Sequence, residues 1–353
     1  MESFPTVPLP NGQARVQRIE YLAEARNRLL RPLDPAYAGD ETPGFQSIVD
    51  LPFDKILFLN DVFFSPLDAA QLLFSTNDGA YRAACAIDFI HGVMFYDTFV
   101  VRDTEGYGMG VMFYPWFSTA GSRQSREDVR SEKDAVRVRS CWGGMAAFEA
   151  SVFRPGPDPT SHQSLPSTPV ATGRQSDVSP VQSSPAVLQF RGSGEPFWEA
   201  AECCLIFADM ELAHGAPNYT GDTGVFINPY IRVAYTQLTF NWLHFYRRFE
   251  RSFEYLQSIV SWIGYPEYNP RRTHEPGAVL EEVAWEVPRA NGAEDPDNTR
   301  RKAHFSHVQR VARPGGFCGQ RRMFVMKQDV EKANTAGAGK NWEKVPVPWG
   351  SGG

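Results

Sequence analysis

Two short apolar runs, each ended by an acid and separated by a helical pattern, set the architecture open to this sequence. Lys55-Ile56-Leu57-Phe58-Leu59 stops at Asn60-Asp61, and Ala83-Ala84-Cys85-Ala86-Ile87 stops at Asp88. Runs of this length without polar alternation suit strands buried on both faces. Between them Pro66 opens a helix with Leu67, Ala70, Leu72 and Leu73 on its apolar side. Strand, acidic stop, helix, strand, acidic stop predicts an α/β fold built on a mostly parallel sheet flanked by helices. In such sheets ligands sit beyond the carboxyl ends of the strands, where Asp61 and Asp88 fall.

The flanking segments fill in this frame. Val16, Ile19, Leu22, Ala23, Leu29 and Leu30 recur at helical spacing, which predicts a helix over 15–31 that ends before Pro32. Further strands are expected at 98–102, 136–140 and 231–235. A long helix over 240–263 carries Trp242, Phe245, Phe249, Phe253, Leu256 and Trp262. That stripe can meet a membrane surface, but its spacing favours core packing. Residues 154–187 hold seven Pro, seven Ser and no aromatic residue. Such a stretch cannot offset its ordering entropy by burial and reads as a disordered insertion. Residues 1–14 read as a disordered lead and 286–312 as flexible, whereas 313–349 contains a strand returning to the core.

Charge and cysteine usage exclude several classes. With 35 basic against 41 acidic side chains the net charge is −6. No global positive field exists to hold nucleic acid or anionic lipid. No stretch approaches the ~18 apolar residues of a membrane span, and Met1 leads into Glu2, Pro5 and Pro8 rather than a signal sequence. Five cysteines without a CxxC pair favour buried thiols over a zinc site or a disulfide framework. An oxidising lumen would allow one or two bridges with one cysteine left over. There Asn218-Tyr219-Thr220 would be a glycosylation sequon. Gly-rich phosphate loops, HExxH and GxSxG are absent, against kinases, zincins and serine hydrolases.

The acids carry the chemistry. A rigid strand end bearing Asn60-Asp61 can hold Mg²⁺ or Mn²⁺ through one or two protein ligands, leaving positions for the phosphate oxygens of a departing nucleoside diphosphate. Asn and Asp also end strands as plain turn formers. Asp97 and Asp103 stand at the two ends of an extended stretch, and Asp103 and Glu105 share one side of it. Arg102 suits a phosphate or a neighbouring acid. Trp142 beside Gly143-Gly144 suits a sugar approached closely by backbone, or a tight buried turn. Glu202 enters an apolar segment as a functional carboxylate or a paired structural one, and His214 ends a helical pattern as a cap or a ligand.

Seven segments in order resemble the fungal capsule-associated α-1,3-mannosyltransferases of glycosyltransferase family 69. They are Arg18-Ile19-Glu20-Tyr21-Leu22-Ala23 with Arg26-Asn27; Ile56 to Val62; Ala84 to Phe89; Phe95-Tyr96-Asp97-Thr98 through Arg102-Asp103; Ser140 to Met145; Glu202-Cys203-Cys204-Leu205; and Ile227-Asn228-Pro229 with Val233-Ala234-Tyr235. The resemblance covers about 15–275 apart from the insertion. It implies a GT-A-like fold, transfer of mannose from GDP-mannose to the 3-hydroxyl of a mannoside acceptor with retention, Mn²⁺ or Mg²⁺ as cofactor, and a Golgi location. Residues 15–153 would form the donor and metal side and 188–285 the acceptor side. Asp61 would hold the metal and, with Arg26, Asn60 and Asp88, the donor. Asp97, Trp142 and Gly143 would face the sugar or acceptor, and Asp103, Glu202 and His214 would be catalytic. Family members normally carry a membrane anchor and opening strands before the segment matching Arg18–Asn27. Without them the nucleotide half would be incomplete at the N-terminus, leaving an open sheet edge and membrane contact only through an absent anchor. A non-catalytic carbohydrate-binding or accessory protein is the alternative function.

Overall fold

A computed structural model describes residues 4, 6–10, 13–39, 46–48, 50–154, 188–213, 223–264, 269–286, 304–327 and 341–349. A six-stranded sheet lies at its centre. In chain order its strands are β1 (Lys55–Leu59), β2 (Ala83–His91), β3 (Met94–Phe95), β4 (Val136–Arg137), β5 (Met145–Glu149) and β6 (Val225–Ala234). Side by side they run β1-β5-β2-β6-β4, with β3 paired to β2. The helices are α1 (Arg18–Leu30), α2 (Pro66–Phe74), α3 (Arg123–Arg130), α4 (Glu202–Ala213), α5 (Gln237–Arg247) and α6 (Glu254–Gly264).

The fold is mixed α/β, but the sheet is not mostly parallel as the strand–helix–strand pattern suggests. Among the described strands only β2 and β6 pair in parallel; the other pairings are antiparallel. The reason is β5, which inserts between β1 and β2 and runs against both. Being antiparallel to the same neighbour, β1 and β2 still point the same way, and β6 points with them. Three carboxyl ends therefore meet on one side of the sheet, which is the feature a ligand site needs.

Both faces of the sheet are covered. Along β2, Ala83, Cys85, Ile87 and Phe89 enter one apolar cluster while Ala84 and Ala86 enter another, the period of two expected of a strand. The first cluster holds α4, which is apolar around its whole circumference and buried from Glu202 to Ala208. Here Phe207 stacks on Phe148 at 5.5 Å. The second holds Leu72 of α2, whose start is set by Ser65 accepting from the Leu67 N–H and by Pro66 in the first turn. Helix α1 ends where Pro32 would follow and buries Ile19, Ala23 and Leu30.

Several expectations change here. Asp88 does not stop a strand: β2 continues to His91 and pairs Asp88 with Val233 of β6. The 98–102 segment is a turn in which Arg102 makes isolated bridges to Gly108 and Ser140. The long helix breaks into α5 and α6 around a 3₁₀ turn at Glu250–Phe253. Its aromatic stripe faces solvent instead of packing in the core, because the inner side of α6 is polar. There buried Gln257 donates to the Phe117 carbonyl and accepts from Arg126.

The lead and the polar region are also partly ordered. Thr6–Pro8 pairs with Ala14–Val16, its Val7 and Leu9 packing near Phe197, Met323 and Val325. Val279–Glu286 pairs with His304–Val311. Residues 155–187 of the Pro/Ser insertion, His214 and residues 287–303 lie outside the described residues.

Four cysteines are bridged, Cys85 to Cys141 and Cys204 to Cys318, and Cys203 is a buried free thiol. The expectation of five buried thiols fails because partners 56 and 114 residues apart leave no local spacing to read.

Candidate functional site

The carboxyl ends of β1, β2 and β6 and the amino end of β5 frame the site. Past Leu59, the Asn60 N–H donates to the Gly144 carbonyl at 2.9 Å. The chain then crosses the sheet end, and Phe63 pairs with Ala234 at the end of β6. Asp61 lies on this crossing turn with an exposed carboxylate that makes no hydrogen bond or ion pair among the described residues.

Beneath the turn a continuous chain of contacts joins six of the residues singled out from the sequence. Arg26 of α1 donates to Glu202 at the start of α4 at 3.0 Å. Its guanidinium lies 4.2 Å from the centre of the Trp142 ring, a cation–π contact that holds both groups in place. The next residue, Gly143, donates its N–H to Asp97 Oδ2 at 3.2 Å. The Asp97 N–H in turn donates to Asp88 Oδ1 at 3.0 Å. Asp88 Oδ2 accepts from the Tyr235 hydroxyl at 2.8 Å. Phe58, Phe148 and Phe190 pack around Trp142, whose buried indole N–H has no hydrogen-bond partner.

The two aspartates are electrostatically unusual. Burial raises the Asp88 carboxyl far above the ordinary carboxylate range, repulsion from Asp97 adds to it, and the Tyr235 hydrogen bond opposes it. Burial also raises Asp97, against the N–H groups of Gly143 and Val100 and the charge of Arg102, while Glu202 pushes it further up. The folded state therefore holds protons here more tightly than the unfolded chain, so this pair's stabilising contribution falls as pH rises from about 4 through the raised values. Asp88→Asn keeps both hydrogen bonds, since its amide can donate to the tyrosine oxygen. It is expected to be more stable than the parent at pH 8 by roughly 1–2 kcal/mol and to lose most of that advantage at pH 5. Urea unfolding at the two pH values checks this, and an equal difference at both would contradict it.

Asp103 does not join this chain. Its buried carboxylate accepts from the N–H groups of Glu105, Tyr107 and Ser122, at 2.9, 2.9 and 2.6 Å. Burial raises it to about 6 against those bonds. It closes the 103–107 loop onto Ser122, the N-cap of α3, so the catalytic reading has no open carboxylate to rest on. Arg102 donates to the carbonyls of Phe317 and Val101, and its charge acts on Asp97. Tyr235, unmarked as a site residue by sequence reasoning, was legible only as a tyrosine leaving a strand at the same sheet end as Asp61.

Among the described residues no three His, Cys, Asp or Glu side chains gather as a metal cage. One open carboxylate on a rigid strand end fits a hard divalent cation that takes its remaining oxygens from phosphate and water, and does not fit a structural metal.

The sequence matches the family described as cryptococcal mannosyltransferase 1 over residues 1–209, a span that includes Arg26, Asp61, Asp88, Asp97, Trp142 and Glu202. No curated protein and no solved structure matches it.

Proposed function

The chain belongs to the cryptococcal mannosyltransferase 1 family, and from that membership we propose that it transfers mannose from GDP-mannose to the 3-hydroxyl of a mannoside acceptor with retention, on a GT-A-like site. The observation that carries the reading is the contact chain from Glu202 through Arg26, Trp142, Gly143 and Asp97 to Asp88. It gathers two protonatable carboxyls at the carboxyl ends of three strands, above a buried Trp142 ring enclosed by Arg26 and three phenylalanines.

Each residue then has a task. Asp61 would hold Mn²⁺ or Mg²⁺, a Lewis acid that would offset the charge developing on a departing diphosphate. Asn60, fixed through its own N–H to Gly144, keeps that turn in place. Asp97 accepts hydrogen bonds from sugar hydroxyls, and Asp88 orients it by accepting its N–H. Trp142, buried with its ring against the Arg26 guanidinium, supports the site from beneath. Glu202, paired with Arg26, bounds the acceptor side. The bond from C1 to the diphosphate oxygen breaks while the acceptor oxygen bonds to C1 on the same face. The hydroxyl proton passes to the leaving phosphate.

Two buried disulfides support a secretory lumen such as the Golgi, since such bridges persist in oxidising compartments. The test incubates the purified chain with GDP-mannose, Mn²⁺ and an α-mannobiose acceptor. Asp61→Ala is expected to lower kcat/KM about 100-fold or more with unchanged thermal stability, because its carboxylate is exposed and unpaired. Mannoside binding without transfer, together with no thermal shift from GDP, would instead identify a non-catalytic accessory protein.

A further inference from the structure

Helices α5 and α6 turn large apolar side chains to water. Leu238, Trp242, Phe245 and Phe249 recur at intervals of four, three and four, one face of a helix, and are 70, 47, 47 and 53% exposed. Their rings are continuous, Trp242 to Phe245 at 5.5 Å and Phe245 to Phe249 at 5.3 Å. On α6, Tyr255, Ile259 and Trp262 repeat the spacing and are 81, 58 and 85% exposed. A contiguous patch of this kind on a globular surface marks an interaction site.

Charge identifies the occupant. The acids of this stretch are neutralised from inside the fold, Glu250 by Arg232 at 2.7 Å and Glu254 by Arg130 at 2.5 Å. Arg247 only overlies the Tyr230 ring, and the Arg248 side chain has no partner among the described residues. Arg248 lines two adjoining clefts of about 500 Å³, one shared with Arg232 and Arg247, the other with Trp242, His244 and Phe245. Arg248 thus shares one surface with the Trp242 and Phe245 rings, whereas Arg247 lies on the opposite side of α5, near buried Leu243.

We propose that α5 and α6 seat the protein on an anionic phospholipid surface, with the aromatic row in the headgroup–acyl boundary and Arg248 on a lipid phosphate. A second copy fits poorly, because a two-fold contact would set Arg248 against its own copy. A glycan fits poorly too, since Leu238 and Ile259 offer nothing to hydroxyl groups. No helix among the described residues is long and apolar enough to cross a membrane, so the contact is interfacial. This inference is independent of the mannosyl-transfer reading.

The full chain should cosediment with phosphatidylcholine vesicles containing about 30% phosphatidylserine and much less with pure phosphatidylcholine. Arg248→Glu should weaken binding about tenfold or more, and Trp242→Ser with Phe245→Ser about tenfold or more on the same vesicles. Both variants should leave the thermal midpoint and transfer to a soluble acceptor unchanged, which separates this outcome from a failure of the catalytic reading. Absence of vesicle binding would overturn the proposal. So would a concentration-dependent dimer that the Trp242 and Phe245 changes abolish, or binding to mannan that they abolish.

Discussion

Gly143→Ala is expected to destabilise the protein by at least about 4 kcal/mol and to abolish activity. Gly143 has φ +57°, in the left-handed region that costs a residue bearing a Cβ about 1 kcal/mol or more. The larger effect is steric. A Cβ there would lie 1.9 Å from the Ala86 carbonyl oxygen and 2.7 Å from its carbon. Those atoms belong to the backbone of β2, which pairs with both β5 and β6 and cannot retreat without breaking a ladder. Any shift would also withdraw the N–H that Asp97 accepts. Gly277→Ala is the control, because Gly277 has φ +89° but nothing within 4 Å of its added Cβ; it should cost only the conformational strain, about 1 kcal/mol. Urea unfolding of the two variants separates the effects, and equal losses would show that the close approach at Ala86 is unimportant.

How far the sequence could be read follows from which interactions are local. Lys55–Leu59 was legible to its ends and the helix at Pro66 at its start, because an unbroken apolar run and a proline in the first turn are local signals. The sheet order was not. Met145–Glu149 is short and rich in alanine, carries no strand signal of its own, and is fixed by pairing with β1 on one side and β2 on the other. Its insertion turned an expected parallel sheet into a mixed one. Asp88 read as a stop because a charge in a buried strand is unfavourable alone, and only Tyr235 and the Asp97 N–H, both remote in sequence, account for it. The pattern of 240–263 gave the residues that share a face but not the direction of that face, which the polar inner contacts of α6 decide. At the site, Arg26, Trp142, Gly143, Asp97, Asp88 and Glu202 came together, whereas Asp103 was engaged by three N–H groups that no spacing rule announces.

Loss of the Cys204–Cys318 bridge should have an effect of similar size from a different cause. The bridge closes a sequence separation of 114 residues, for which the restricted entropy of the unfolded chain corresponds to about 4–5 kcal/mol. Cys204→Ala with Cys318→Ala is therefore expected to lower stability by about that amount. Both positions are buried, so alanine avoids adding an unsatisfied hydroxyl. The damage should reach the site. Cys204 lies two residues beyond Glu202 on α4, and the carbonyl of Phe317, next to Cys318, accepts from Arg102. A freed 316–318 turn loosens the support beneath the Glu202–Arg26 pair and removes a fixed partner of Arg102, whose charge acts on Asp97. Activity should fall alongside stability, not after it. Cys203→Ala, at a buried thiol with no bridge, should cost only about 1 kcal/mol and leave activity in place. Denatured without reductant, the parent should titrate one thiol, the double variant one and Cys203→Ala none. Three or more thiols in the unreduced parent, or a midpoint that reductant does not move, would show that the bridges do not hold α4 to the C-terminal turn.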